Sequence, residues 1–172
     1  MDIRKIANTA LTFTINRLIE IAAIIIFCLG LLLVTALISY SPSDPNFIFP
    51  KNTEIKNLLG FRGSYISDIF FQSIGLIAYL VPITYIFTGI NIFIKKELFL
   101  LIENTFFIIA YTFVGSIFFS FFFKNTYALY INGNGGFVGN YFNEIFLQNI
   151  SASYENFIYF FLILLIILFF LF

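Results

Sequence analysis

Side chains that usually carry chemistry are scarce in this 172-residue sequence. There is no His and no Trp, and Cys28 is the single cysteine. A histidine metal site, a Ser/His or Cys/His nucleophile pair and an internal disulfide are therefore excluded. Glu103 is the one carboxylate inside an apolar run. It lies about a turn and a half from the start of that run, where it can snorkel to the interface rather than serve a proton pathway. Asn132-Gly133-Asn134-Gly135-Gly136-Phe137-Val138-Gly139 has the glycine density of a phosphate cradle. It lacks the lysine and hydroxyl of G-x-x-x-x-G-K-[ST] and follows no strand, so it reads as a tight or re-entrant turn before an apolar helix over about 136–150. We expect no catalytic, cofactor-binding or metal-ligating residue in this chain. Cys28 reads as a small apolar filler.

The elements that position these residues are membrane spans. The chain is 60% hydrophobic, 22% aromatic and 10% charged, which is outside the range of soluble domains. Nine Lys+Arg balance nine Asp+Glu, so no basic surplus is available for a nucleic acid backbone. Read against the roughly 20 residues that cross a ~30 Å hydrocarbon core, four apolar runs emerge. They cover about 21–38, 69–94, 98–123 and 157–172 and follow a segment, 1–20, with an interfacial pattern. In that segment Ile3, Ile6, Ala7, Ala10, Leu11, Thr14 and Leu18 share one helical face opposite Arg4, Lys5, Asn8 and Thr12.

The fold class that results is an all-α membrane protein with four transmembrane helices. Pro42 and Pro45 end the first span. Lys95-Lys96-Glu97 is too short a link for anything but an antiparallel hairpin between the second and third. Pro82 predicts a kink near residue 78. The fourth run is Phe, Leu and Ile throughout from Phe160 and reaches Phe172 with no charge after it, which predicts a natural chain that continues. At roughly −0.3 to −0.6 kcal/mol per central residue, this run still favours insertion. A cleaved secretory signal is a poor fit to residues 1–38, because Ala36-Leu37-Ile38-Ser39 is not an A-x-A site.

Arg4, Lys5, Arg17, Lys95 and Lys96 crowd into short segments, whereas Lys51, Lys56, Arg62 and Lys124 are spread over the long loops 39–68 and 124–156. Their density places the N-terminus in the cytoplasm and the two longer loops outside, in the periplasm. Tyr40, Tyr65, Tyr127, Tyr130, Tyr154 and Tyr159 fall at the ends so placed outside, where amphipathic rings suit the headgroup layer. Thr112, Ser116 and Ser120 recur every fourth residue beside Gly115, a small-residue stripe on which another helix can approach closely.

Order and spacing of the loop residues are more specific. The chain carries Ser39-Tyr40-Ser41-Pro42-Ser43-Asp44-Pro45, then Asn57-Leu58-Leu59-Gly60-Phe61-Arg62-Gly63 and Ser67-Asp68. Gly75-Leu76-Ile77-Ala78-Tyr79-Leu80-Val81-Pro82 and Gly135-Gly136-Phe137-Val138-Gly139 follow. In this order they resemble the N-terminal membrane domain of the FtsK/SpoIIIE family of bacterial DNA translocases, over residues 17–172. The resemblance marks Pro42, Ser43, Asp44, Pro45, Asn57, Gly60, Gly63, Asp68, Gly75, Ala78, Tyr79, Pro82, Gly135, Gly136 and Gly139 as signature positions.

It implies a four-span anchor in the bacterial inner membrane at the division septum, serving a hexameric ATPase in chromosome segregation and cell division. The motor would need ATP and Mg²⁺, but its Walker motifs and basic DNA-binding segment are missing from this sequence. Anchorage, septal targeting and assembly are what this chain could carry, and it is not itself an enzyme. The partners implied are the bilayer, further copies of the chain and division proteins, without direct nucleic acid binding by this segment. The alternative is a stand-alone four-helix membrane protein, such as a small channel or assembly-factor subunit. An open frame past codon 172 leading to a P-loop would select the anchor. Reporter fusions at residues 50 and 140 should read outside and one at residue 96 inside; an external residue 96 would overturn the orientation.

Overall fold

A computed structural model describes residues 3–46, 54–123, 129, 131–147 and 154–171, and the regular elements among them are all helical. Lys51, Lys124, Tyr127, Tyr130 and Phe172, and the side chains of residues 3–6, fall outside this description. The elements are α1 (Ile3–Ile38), α2 (Gly60–Ile74), α3 (Leu80–Lys95), α4 (Phe99–Phe122), α5 (Gly136–Phe142) and α6 (Glu155–Leu171). A 3-10 turn, Gly75–Tyr79, joins α2 to α3, and a π-helical turn, Asn143–Leu147, extends α5.

α1 has 36 residues, about 54 Å at the helical rise, and runs unbroken through the amphipathic start and the first apolar run. Three helical stretches, Ala7–Ile38, Gly60–Lys95 and Phe99–Phe122, are long and apolar enough to cross a bilayer; Glu155–Leu171 is a shorter apolar helix. Large apolar side chains cover the outside, as on Ile24, Phe106 and Phe160. A solvated protein would bury such surface, whereas hydrocarbon accepts it. The chain is a multi-pass membrane protein.

α1 packs along the antiparallel α3 through small residues. A Cβ on Gly89 would lie 2.8 Å from the Ala23 carbonyl oxygen and the Phe27 nitrogen, and one on Gly30 would lie 2.8 Å from Ile86 Cγ1. With no hydrophobic drive between helices in lipid, such close approach supplies the dispersion contact that holds them. α3 and α4 form the expected hairpin, turned by Lys96 in the left-handed region (φ 60°). Between them Asn104 Nδ2 donates to Thr88 Oγ1 (2.8 Å), and the Thr84 and Tyr111 hydroxyls are bonded at 2.9 Å. At the same end Glu20 of α1 accepts from Lys96 Nζ (2.6 Å) and Arg17 Nη1 (2.5 Å), tying α1 to the hairpin turn.

α6 lies against α4 by ring contacts. Tyr159 packs on Phe118 and Phe122, and Phe170 meets the buried Tyr111 edge to face at 5.8 Å.

The kink expected from Pro82 occurs as a complete break of the α-helix that begins earlier, at Gly75 (φ 72°). Pro82 sits in the first turn of α3, where its missing N–H costs no helical bond. The apolar run read as one span over 69–94 is thus divided among α2, the 3-10 turn and α3.

The tight α1–α3 seam makes a direct prediction. Gly89→Leu should destabilise the bundle by about 1–3 kcal/mol through overpacking, whereas Phe106→Leu on the lipid-facing surface should change little, both read by unfolding in mixed micelles.

Candidate functional site

The sequence signatures converge at the loop-bearing end of the bundle, in two clusters. In the first, the chain leaving α1 turns at Pro42 and Ser43, which are exposed, and then buries Asp44 to 4% exposure. One Asp44 carboxylate oxygen accepts the Lys56 N–H (3.0 Å) and the other the Asn57 N–H (2.8 Å). These bonds to a charged acceptor fasten the two halves of the first loop to each other. Asn57 then ties the loop to two helices. Its Nδ2 donates to the Ala36 carbonyl at the end of α1 (2.9 Å), while its Oδ1 accepts the Leu59 N–H at the start of α2 (3.1 Å). A side chain on Gly63 would collide with the Asn57 amide. The Pro45 carbonyl accepts from Ser64 Oγ at 2.8 Å, fixing the other edge of the loop on α2.

Tyr40 donates to Asp68 Oδ1 (3.2 Å). Burial, and then the neighbouring Asp68 carboxylate, push the Tyr40 phenol well above the ordinary tyrosine range, so it stays protonated as the donor. The Tyr40 ring also lies 4.8 Å from that of the buried Phe71, which in turn meets Tyr79 edge to face at 5.2 Å. Phe71 thereby connects the first cluster to the helix break, where Ala78 is fully buried.

The second cluster is built on that break. An interrupted helix leaves backbone groups that must find partners elsewhere once they are buried. Here Ser116 Oγ donates to the Ile74 carbonyl (2.9 Å), and the Leu76 N–H donates to the Asn134 carbonyl (2.9 Å). The glycine-rich second loop can come this close only because it lacks side chains. A Cβ on Gly136 (φ 65°) would lie 2.6–2.7 Å from backbone atoms of Ser73, Ile74 and Gly75, and one on Gly75 would overlap the Asn134 carbonyl. On the other side, a Cβ on Gly135 would lie 2.6 Å from the Ser116 carbonyl oxygen, and one on Gly139 would collide with the same carbonyl. Gly135-x-x-x-Gly139 thus lies on Ser116-x-x-x-Ser120, small against small.

Ser116 and Ser120 of the stripe are therefore covered by this chain's own second loop and helix break, and all three residues of the stripe, Thr112 included, are buried.

Amides complete the cap. Ser120 Oγ donates to Asn140 Oδ1 (2.7 Å), and Asn143 Nδ2 reaches the Ser120 carbonyl (3.3 Å). Asn140 Nδ2 donates to the Asn132 carbonyl (2.6 Å), whose own Nδ2 donates to the Gln72 carbonyl (3.2 Å). Asn134 Nδ2 closes the end of α4 on the Phe123 carbonyl. Gln72, Asn140 and Asn143 belong to no sequence motif. The signal that could have found them is amide side chains flanking a glycine run at the edge of an apolar helix. Of the signature residues, Pro42 and Ser43 are exposed in the turn after α1, Gly60 has open space around it, Pro82 lies on the α1–α3 seam with its carbonyl against Gly30, and the others fall in one of the two clusters. Glu103 is exposed on α4 and belongs to neither. Among the described residues no three His, Cys, Asp or Glu side chains assemble as metal ligands.

The 4TM region of DNA translocase FtsK/SpoIIIE matches the chain over residues 16–172, so the chain belongs to this family. It is 34% identical to the DNA translocase FtsK of Rickettsia typhi over 82 residues, which are 46% of the chain and 11% of that relative. The protein of the same name from Azospirillum brasilense is 32% identical over 87 residues, 49% of the chain and 14% of the relative. That of Pseudomonas putida is 40% identical over 68 residues, 39% of the chain and 8% of the relative. The matched segment is thus about a tenth of the length of these relatives. No solved structure matches the chain.

Two kinds of glycine should respond differently to substitution. Gly60 has φ 64° but open space around it, so Gly60→Ala should cost only about 1–2 kcal/mol of left-handed strain. Gly136→Ala adds a backbone collision and should detach the second loop. Crosslinking between Gln72→Cys and Asn132→Cys on a Cys28→Ser background should survive the first change and fall sharply with the second. Asp44→Ala, which strands two N–H groups, should lower stability by on the order of 2–5 kcal/mol.

Proposed function

We propose that this chain is the membrane anchor and division-septum targeting domain of an ATP-driven DNA translocase acting in chromosome segregation and cell division. The observation that carries the reading is the family match across residues 16–172, which takes in all four apolar helices and both loop clusters. The names of the relatives support the translocase assignment. In this reading the chain is multi-pass in the bacterial cytoplasmic membrane, with its N-terminus inside and the loop cap in the periplasm, as the crowding of Arg4, Lys5, Arg17, Lys95 and Lys96 supports. ATP and Mg²⁺ serve only the motor portion, and this segment makes no contact with DNA. Its partners are the bilayer, further copies of itself and division proteins. The braced loop cap is the face suited to the last of these, because a rigid surface loses little conformational entropy on binding.

A fluorescent fusion of this chain in dividing bacteria tests the septal role. Accumulation at the constriction is expected, with Asp44→Ala and Gly136→Ala reducing it while membrane association persists. A uniform peripheral signal from the unaltered chain would overturn septal targeting.

A further inference from the structure

A groove of about 750 Å³ opens between α1 and α4, with α2 at its upper end. It runs from Leu101 in the first turn of α4 to Arg62 in the first turn of α2, so it traverses the membrane-spanning part of the bundle. Its walls are largely apolar, lined by Leu29 and Leu32 of α1 and, at the upper end, by Ile66 and Phe70 of α2. The volume lies within the ~300–1,000 Å³ usual for small-molecule sites. An unfilled cleft of this size would forfeit dispersion contacts along its whole length.

Arg62 is the one charged residue lining the groove. It is exposed and forms no ion pair among the described residues, whose two salt bridges both involve Glu20 at the opposite end. A guanidinium at the mouth of an apolar membrane groove matches a phosphate diester joined to a hydrocarbon chain, since its fork of donors fits phosphate oxygens. From these features we infer that the groove is a phospholipid site. One acyl chain lies along α1, and the headgroup phosphate rests on Arg62. Net negative lipids are favoured, because a zwitterionic headgroup brings its own ammonium close to the guanidinium.

The absence of tryptophan permits a clean test. Leu29 lies nine residues before the end of α1, about 13–14 Å along the axis, near mid-bilayer depth. Leu29→Trp therefore places a single fluorophore in the groove, and Phe106→Trp places one on the open lipid-facing surface. The reconstituted chain is titrated with mid-chain brominated phosphatidylglycerol or phosphatidylcholine. The groove fluorophore should be half-quenched at a several-fold lower mole fraction of the anionic lipid. Arg62→Gln should abolish that preference, and the surface fluorophore should show none. Equal quenching by both lipids at both positions would mean ordinary annular lipid and overturn the site. A groove fluorophore that neither lipid reaches would mean that protein, such as a second copy, fills the groove, and would overturn it equally.

Discussion

An interrupted helix buried beneath the loops is the constraint on which the rest of this structure depends. Breaking the chain at Gly75 turns the Leu76 N–H out of the helical ladder, and a buried N–H left without a partner costs on the order of 1–3 kcal/mol. The Asn134 carbonyl accepts it, and Ser116 Oγ reaches the neighbouring Ile74 carbonyl as well as the Thr112 carbonyl of its own helix. Both partners must come to within hydrogen-bond distance of a backbone, and that in turn demands glycine at 75, 135, 136 and 139. The second loop is consequently a structural plug seated between the helix break and α4, rather than a tether between two spans.

The two ends of the bundle are built by different physics. At the loop end, buried carboxylates and amides bond to backbone groups, with Asp44 and Asn57 drawing a long loop onto α1 and α2. Charged acceptors bonded to N–H groups are strong where water is excluded, and this end can hold one shape. At the other end the polar link is the Glu20 clasp to Arg17 and Lys96, partly open to solvent and of modest worth. Between the ends the helices depend on close approach at Gly30 and Gly89 and on a few hydroxyl and amide bonds. A chain so arranged presents a braced face at one surface of the membrane.

Much of this is legible in the amino-acid sequence. Hydropathy and length marked the apolar segments, and the short Lys95-Lys96-Glu97 link required the hairpin, because both follow from composition and covalent reach. The signature positions were legible as a pattern, but not what they touch. Asp44 could be read as a turn former, yet its two bonds join it to residues 12 and 13 positions away. The Ser116 stripe was legible as a close-packing surface, while the identity of what packs there was not, since one small-residue face accepts any helix of matching shape. Gln72, Asn140 and Asn143 gave no signal, because a capping amide has no required spacing from the carbonyl it serves.

The sequence by itself determined that this chain is an all-α membrane protein of the FtsK/SpoIIIE type, because transfer into hydrocarbon acts residue by residue and a local motif keeps its order along the chain. Only the tertiary structure decided that the second span is broken at Gly75 and repaired by the second loop, that Asp44 closes the first loop, and that α1 and α4 leave a groove between them. Each of these depends on which groups meet across dozens of residues, and pairing at that range is settled by packing and hydrogen-bond satisfaction in three dimensions.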